Sequence, residues 1–272
     1  GACSVFAIIC YLLCYNMCTE RVKSEATAEQ LKRNSVGVMF INAFKNRALI
    51  SLIVASILML IAQLSLQQMA NYVFPNYYGN AKAQTLSMVL MGVGMFIAAF
   101  TAKPLANKFG KAEIGAVSNF AAGIICIILY FLRPQNVFIY AAFQMISWIG
   151  LGMFQIVAWA LVTDVIDHSE IRNGIREDGA VYGLYSFARK LGQAATSGLV
   201  GGLLSLVGYT DATAFEPDVK EGIFDIATLV PAAGFILLAV VLWFWYPLHK
   251  KKVDENVALL KEKHGEQGNE EQ

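Results

Sequence analysis

Charge is scarce in this chain. Lys, Arg, Asp and Glu make up 15% of its 272 residues, while hydrophobic residues reach 57%. Soluble domains carry about 25% charged residues. A soluble protein of this size buries one core and has no place for so much apolar surface. The net charge of +1 gives no reason to expect a nucleic-acid partner. Catalytic signatures are missing as well. The chain has no G-x-S-x-G, no H-E-x-x-H, no Walker A loop and no G-x-G-x-x-G opening a helix. His168, His249 and His264 lie scattered near or beyond expected helix ends. Neither enzyme chemistry nor a bound cofactor or metal is expected. Five cysteines are too few for a disulfide framework. Cys10, Cys14 and Cys18 share one face of a first helix without a His or carboxylate beside them. Metal ligands usually come from more than one element, so this face reads as a packing stripe. There is no secretory signal with a cleavage site. The chain opens inside an apolar run, GACSVFAIICYLLCY, without Met, and is expected to continue upstream.

What is present is a series of long apolar runs. Seven stretches approach the roughly 20 residues that a spanning helix needs: 1–18, 48–73, 83–107, 114–132, 137–163, 180–208 and 224–247. The connections between them differ in charge. Arg21, Lys23, Lys32, Arg33, Lys45 and Arg47 fall in 19–47, Lys103, Lys108 and Lys111 near 103–113, and Arg172 and Arg176 before 180. The tail adds Lys250, Lys251, Lys252, Lys261 and Lys263, whereas the alternate loops hold only Lys82, Arg133 and Lys220. Basic residues stay on the cytoplasmic side. The loop 19–47 and the C-terminus are therefore expected inside, and the loops near 74–82, 133–136 and 209–223 outside. The tail, 249–272, reads as a solvated extension, with Val253, Val257 and Leu260 suggesting a short amphipathic helix.

Ionisable groups within a span suggest function, and 180–208 holds two, Arg189 and Lys190. Lys190 lies about 15 Å from one end at the helical rise, near the middle of a hydrocarbon core of about 30 Å. On a helical wheel Tyr182, Tyr185, Ser186, Arg189, Lys190, Gln193, Thr196 and Ser197 fall within roughly 140°. The opposite arc is dry. This pattern suggests a water-filled pathway. Polar groups that only tie helices together are the alternative. Ala194, Gly198 and Gly202 recur every four residues, as helix-packing stripes do. In 137–163, Gln144, Trp148, Gln155 and Trp159 share a face. Indoles stack on sugar rings and amides bond hydroxyls, although Trp also serves in packing. Gln63, Gln67 and Asn71 line up in 48–73 and are expected to complete the same cavity.

The densest local pattern is 164–182, DVIDHSEIRNGIREDGAVY. Asp164, Asp167 and Glu170 recur every three residues at a helix end, and Arg172, Arg176, Glu177 and Asp178 come next. Such charges pair within the loop, pair with another part of a transporter and so hold a gate closed, or remain solvated and contribute little. Extended to Gln193, the pattern becomes DxxDxxExR…RxDGxxYxxYSFxRKxGQ. It resembles the signature of the glycoside–pentoside–hexuronide:cation symporter family, melibiose-permease-like members of the major facilitator superfamily. CTERV at 18–22 and KNRAL at 45–49 resemble that family's central loop. LANKFGK at 105–111 resembles a facilitator loop, with Asn107 where an Asp is common.

The resemblance implies an all-α membrane protein with the major facilitator fold. Residues 1–18 would end a sixth transmembrane helix, 19–47 form the central cytoplasmic loop, 48–248 the C-terminal six-helix bundle, and 249–272 a cytoplasmic tail. It implies a secondary transporter in the cell inner membrane, carrying a sugar or glycoside with Na⁺ or H⁺ by alternating access. Its partners are then the sugar, the coupling cation and the lipid bilayer. The cation would be bound mainly by an N-terminal half. Lys190 aligns with a family Lys beside the cation and sugar sites. Asp164, Asp167 and Glu170 with Arg176 align with the family's cytoplasmic charge lock. One departure concerns the sugar: where the melibiose permease places a stacking Trp, this chain has Gln155, with Trp159 one turn later. Competing readings are a facilitator of another solute such as a lipid, a membrane-embedded enzyme, and a membrane sensor that does not transport.

Overall fold

The computed structural model describes residues 2–17, 44–173 and 178–270, and they are helical with no strand among them. Two units result, residues 1–39 and 40–272. The first contains α1 (Ala2–Met17), 16 residues long and apolar. Its Cys10 and Cys14 are exposed and Cys10 is a free thiol; Cys18 lies outside the described residues.

The second unit is a helical bundle. It comprises α2 (Arg47–Tyr72), α3 (Ala81–Phe109), α4 (Lys111–Leu132), α5 (Val137–Asn173), α6 (Asp178–Leu206), α7 (Pro217–Val240) and α8 (Lys250–Glu270). Single π turns, Val73–Tyr77 and Val241–Trp245, extend α2 and α7. Local chemistry sets the ends. Asn46 accepts hydrogen bonds from the amides of Ala48 and Leu49 and opens α2, and Asn80 caps α3 through the amide of Ala83. Gly110, at φ 110°, separates α3 from α4 in a conformation that side chains disfavour. Pro217 starts α7, where its missing N–H leaves nothing unpaired.

Among the described residues five helices are long and apolar enough to cross a membrane: α2 and α7 with their π turns, α3, α4 and α5. Seven stretches were expected. In α1 the apolar segment Ser4–Met17 is shorter than the others. The polar arc of α6 keeps it out of this set, although it is 29 residues long.

The helices pack in the order α6, α2, α7, α4, α5, α3. Two apolar clusters fill the interior. One contains Leu52, Met59, Phe154, Leu161, Phe235 and Leu242. The other contains Met69, Phe74, Tyr140, Leu204, Phe224 and Val137. The buried residues of α3 are all small, namely Ala83, Ser87, Gly94, Ala98 and Ala102. Its Val89, Phe96 and Phe100 are exposed, which suits contact with lipid.

Two expectations are corrected. The stripe Ala194, Gly198, Gly202 is not close-packed among the described residues: a Cβ on Gly198 or Gly202 would meet no atom within 4 Å there. Helix α6 instead presses its opposite side, with Gly192 and Thr196, toward α2. The tail is also not a solvated extension over its first turns. Asn256 and Leu260 are buried in it, whereas Val257 is 39% exposed. Lys250 Nζ donates to the carbonyls of Asn107 and Lys108, at 2.8 and 2.9 Å. The Lys250 amide donates to Glu113, and Asn256 meets His168 at 3.3 Å. Tail helix α8 is thus fastened to the α3–α4 turn and the end of α5.

Candidate functional site

Helix α5 runs past the apolar stretch and carries its acids as far as Asn173. Asp164 and Glu170 are buried there and Asp167 is half-buried. Asp164 Oδ1 accepts from Lys111 Nζ at 2.6 Å. Its other carboxylate oxygen is buried without a partner, as are Glu113 Oε2 and the Tyr246 hydroxyl. Burial, with Asp164 and Glu113 adding negative charge, pushes the Tyr246 hydroxyl well above its ordinary pKa. Arg176 lies outside the described residues. Lys111 is the partner that sequence reasoning missed. The signal was the Lys closing LANKFGK, next to the left-handed Gly110.

The polar arc of α6 divides in two. Tyr185 and Thr196 are fully buried. The Tyr185 hydroxyl shares a 2.8 Å hydrogen bond with Ser56 of α2, and Thr196 donates to the carbonyl of Gly192. The Tyr185 bond ties α6 to α2, whereas the Thr196 bond stays within α6. Tyr182, Ser186, Lys190 and Ser197 are exposed, and Arg189 and Gln193 are half-buried. They form an open polar face on one side of the helix. Ser56 and Gln68, which bonds Ser197 at 3.4 Å, are α2 residues that the sequence pattern did not single out.

Trp159 of α5 joins this face, 47% exposed. Its ring lies 6.0 Å from that of Tyr182 at an interplanar angle of 20°, and meets Tyr185 edge-on at 5.6 Å. The Arg189 guanidinium carbon lies 5.7 Å from the centre of the Trp159 ring and 5.8 Å from that of Tyr185. Lys190 Nζ donates to Gln193 Oε1 at 3.4 Å. None of the ion pairs among the described residues involves Arg189 or Lys190. Asp225, at the far end of the bundle, is taken by Arg133.

Gln155 is half-buried, and its amide oxygen is buried without a partner. Gln144 and Trp148 are buried in packing. Gln144 donates to the Tyr140 hydroxyl at 2.7 Å. In α2, Asn71 accepts from Gln84 and Gln67 is exposed. The structure therefore brings Trp159, Tyr182, Ser186, Arg189, Lys190 and Gln193 together and leaves Gln144 and Trp148 apart. Such a face can stack a flat ring, donate to oxygens and hold an anion.

Residues 1–250 match the model of the family described as MFS/sugar transport protein. The chain belongs to that family. The MFS/sugar transport assignment makes the bundle a major facilitator fold, and its apolar helices are those of a multi-pass membrane protein. The "Uncharacterized symporter YjmB" of Bacillus subtilis is 28% identical over 250 residues, covering 91% of this chain and 53% of the relative. The "Glucuronide carrier protein homolog" of Escherichia coli is 27% identical over 259 residues, 93% of this chain and 54% of the relative. The "Inner membrane symporter YicJ" of Escherichia coli is 27% identical over 157 residues, 57% of this chain and 34% of the relative. The chain spans about half the length of the first two relatives. MFS/sugar transport relatives are thus named for carrying solutes, in keeping with the missing catalytic motifs.

Proposed function

We propose that this chain supplies one half of a sugar:cation symporter that works by alternating access in the cell inner membrane, with its C-terminus cytoplasmic. The carrying observation is the open face on α5 and α6, where Lys190 and Arg189 stand beside Trp159 and Tyr182 and pair with no acid among the described residues. Intramembrane cations pair with an acid, a ligand or water. In facilitator folds the substrate binds near the midplane between two pseudosymmetric halves, so the open face would form one wall of that cavity. Relatives named as symporters and as a glucuronide carrier support a sugar or glycoside as cargo. Na⁺ or H⁺ is the proposed coupling cation, with Lys190 facing an acid of the other half. Asp164, Asp167, Glu170 and Arg176 are proposed as its cytoplasmic gate.

The test is uptake by membrane vesicles containing the complete carrier, measured across a set of sugars with and without a Na⁺ or H⁺ gradient. Lys190→Ala should abolish gradient-driven uptake while the protein still inserts in the membrane. Lys190→Arg should not restore it fully, because a planar guanidinium does not replace a compact ammonium. Gradient-driven uptake by Lys190→Ala at the wild-type rate would remove Lys190 from coupling.

A further inference from the structure

Away from the open face of α5 and α6, the basic end of the bundle carries a forked apolar groove. Two cavities form it, of about 320 and 630 Å³. The smaller lies between α4 and α7, lined by Ala116, Phe120, Ala239 and Phe244. The larger lies among α3, α4 and α5, lined by Leu105, Phe109, Ala121 and Met153. Val117 and Trp243 wall both, so the two are lobes that meet at one indole. Only Glu113 and Ser118 interrupt the apolar lining, and the Ser118 hydroxyl is turned to the Gly150 carbonyl. Phe109, Val117, Phe120, Trp243 and Phe244 are all exposed. From Glu113 to Phe120 the groove follows about 10 Å of α4. That depth fits within one half of a hydrocarbon core of about 30 Å.

Bulk lipid would fill such a groove without preference, but its mouth is charged. Glu113, at the end of the larger lobe, also borders an open cavity with His249, Lys250, Lys251, Asp254 and Glu255. The acids there are mostly taken. Glu113 accepts from the Lys250 amide and meets His249 at 3.2 Å, and Glu255 pairs with Lys252. The lysines are freer. None of the ion pairs among the described residues involves Lys108, Lys250 or Lys251. Lys108 and Lys251 are exposed. Lys108 Nζ lies 5.2 Å from the centre of the Phe109 ring, which lines the groove. Lys250 gives two donors to the carbonyls of Asn107 and Lys108 and has a third. Asp254 is then the remaining acid of the mouth against three ammonium groups.

We propose that this groove binds one anionic phospholipid, its two chains in the lobes beside Trp243 and its phosphate at Lys108, Lys250 and Lys251. Two lobes with a shared wall suit the paired chains of one molecule. Basic pockets between helices at a membrane surface hold phosphate headgroups, each lysine strengthening the attraction about fivefold. Two of the three lysines come from α8, so the mouth exists only while the tail helix is seated.

Trp243 reports on the site directly. The complete carrier is placed in phosphatidylcholine vesicles containing increasing fractions of phosphatidylglycerol brominated on its chains. Bromine quenches only indoles that it touches. The fluorescence lost by the wild type and not by Trp243→Phe is the signal of the groove. Brominated phosphatidylcholine is the neutral comparison. The anionic lipid should reach half-quenching at a mole fraction at least about fivefold lower. Lys108→Gln combined with Lys251→Gln should remove that preference, by about fivefold for each lysine. Lys82→Gln, at the opposite end of α3, should leave it intact. Inorganic phosphate should relieve the quenching no more than chloride does at equal ionic strength. Equal quenching by the two brominated lipids, or a preference that survives the double variant, overturns the proposal. Specific relief by inorganic phosphate overturns it too, because the mouth would then hold a free anion. None of these outcomes depends on sugar uptake, so the transport reading stands or falls separately.

Discussion

At the scale of residues, Asp164 shows how strongly surroundings decide what a charge does. Its side chain is 7% exposed, and one oxygen is bonded to Lys111, itself 35% exposed. Glu113 and Tyr246 crowd the same region with unpartnered oxygens. Removing Lys111 alone strands a buried carboxylate without its cation. Lys111→Met should therefore destabilise the purified protein by about 1–3 kcal/mol, toward the lower end because water reaches Lys111. Lys111→Met with Asp164→Leu should recover much of that loss, since no lone buried charge then remains. Thermal melting in detergent checks both, and a double variant as unstable as the single one would show that the pair is not coupled. The same scale separates Trp159 from Gln155, although they lie one turn apart. The first is open, whereas the amide oxygen of the second is buried without a partner.

Elements meet through small residues, and where they meet is uneven. Gly150 of α5 faces α4 so closely that an added Cβ would come within 2.5 Å of the Ser118 carbonyl oxygen and 2.9 Å of the Ala122 Cβ. Ser118 and Asn119 both donate to the Gly150 carbonyl, at 3.2 Å. Gly150→Ala must push α4 and α5 apart and strain these bonds, so it should cost about 1–3 kcal/mol. Gly202→Ala, on the open side of α6, should stay within about 0.5 kcal/mol of the wild type. Melting the two variants side by side tests the packing order. Equal destabilisation would mean that α6 has a neighbour along its Gly stripe. Tail helix α8 behaves as an element in the same sense: Lys250 ties it to the carbonyls of Asn107 and Lys108, where a solvated tail would have left those groups to water.

For the molecule as a whole, the charge bias of the loops makes a topological prediction. Gly79 is a natural labelling position in the loop expected outside, but at φ 63° a Cys there would strain the backbone. Lys82 is exposed in ordinary helical geometry nearby. In a background without the native cysteines, Lys82→Cys should react with an impermeant maleimide added to intact cells. Lys251→Cys, exposed at the start of α8, should react only after the membrane is opened. Reversed labelling would invert the orientation and place the proposed gate on the outer side.

Local chemistry and composition were enough for the long apolar helices and the family pattern ending at Gln193. Hydrophobic runs of spanning length and positions that demand a cap or a turn are properties of short segments. A wheel likewise grouped Tyr182, Tyr185, Arg189, Lys190 and Thr196 on one side of α6, because helical angle depends only on residue number. What the wheel could not say is which part of that side meets another helix. Packing on α2 buried Tyr185 and Thr196 and left Tyr182 and Lys190 open. It likewise left Gly198 and Gly202 uncovered. Asp164 found Lys111 across 53 positions of chain, and Arg189 came to rest between Trp159 and Tyr185. Those outcomes depend on contacts between elements distant in sequence, so the tertiary structure alone decided them: sequence periodicity determines which residues share a face, and helix packing determines which of those faces remains open to a ligand.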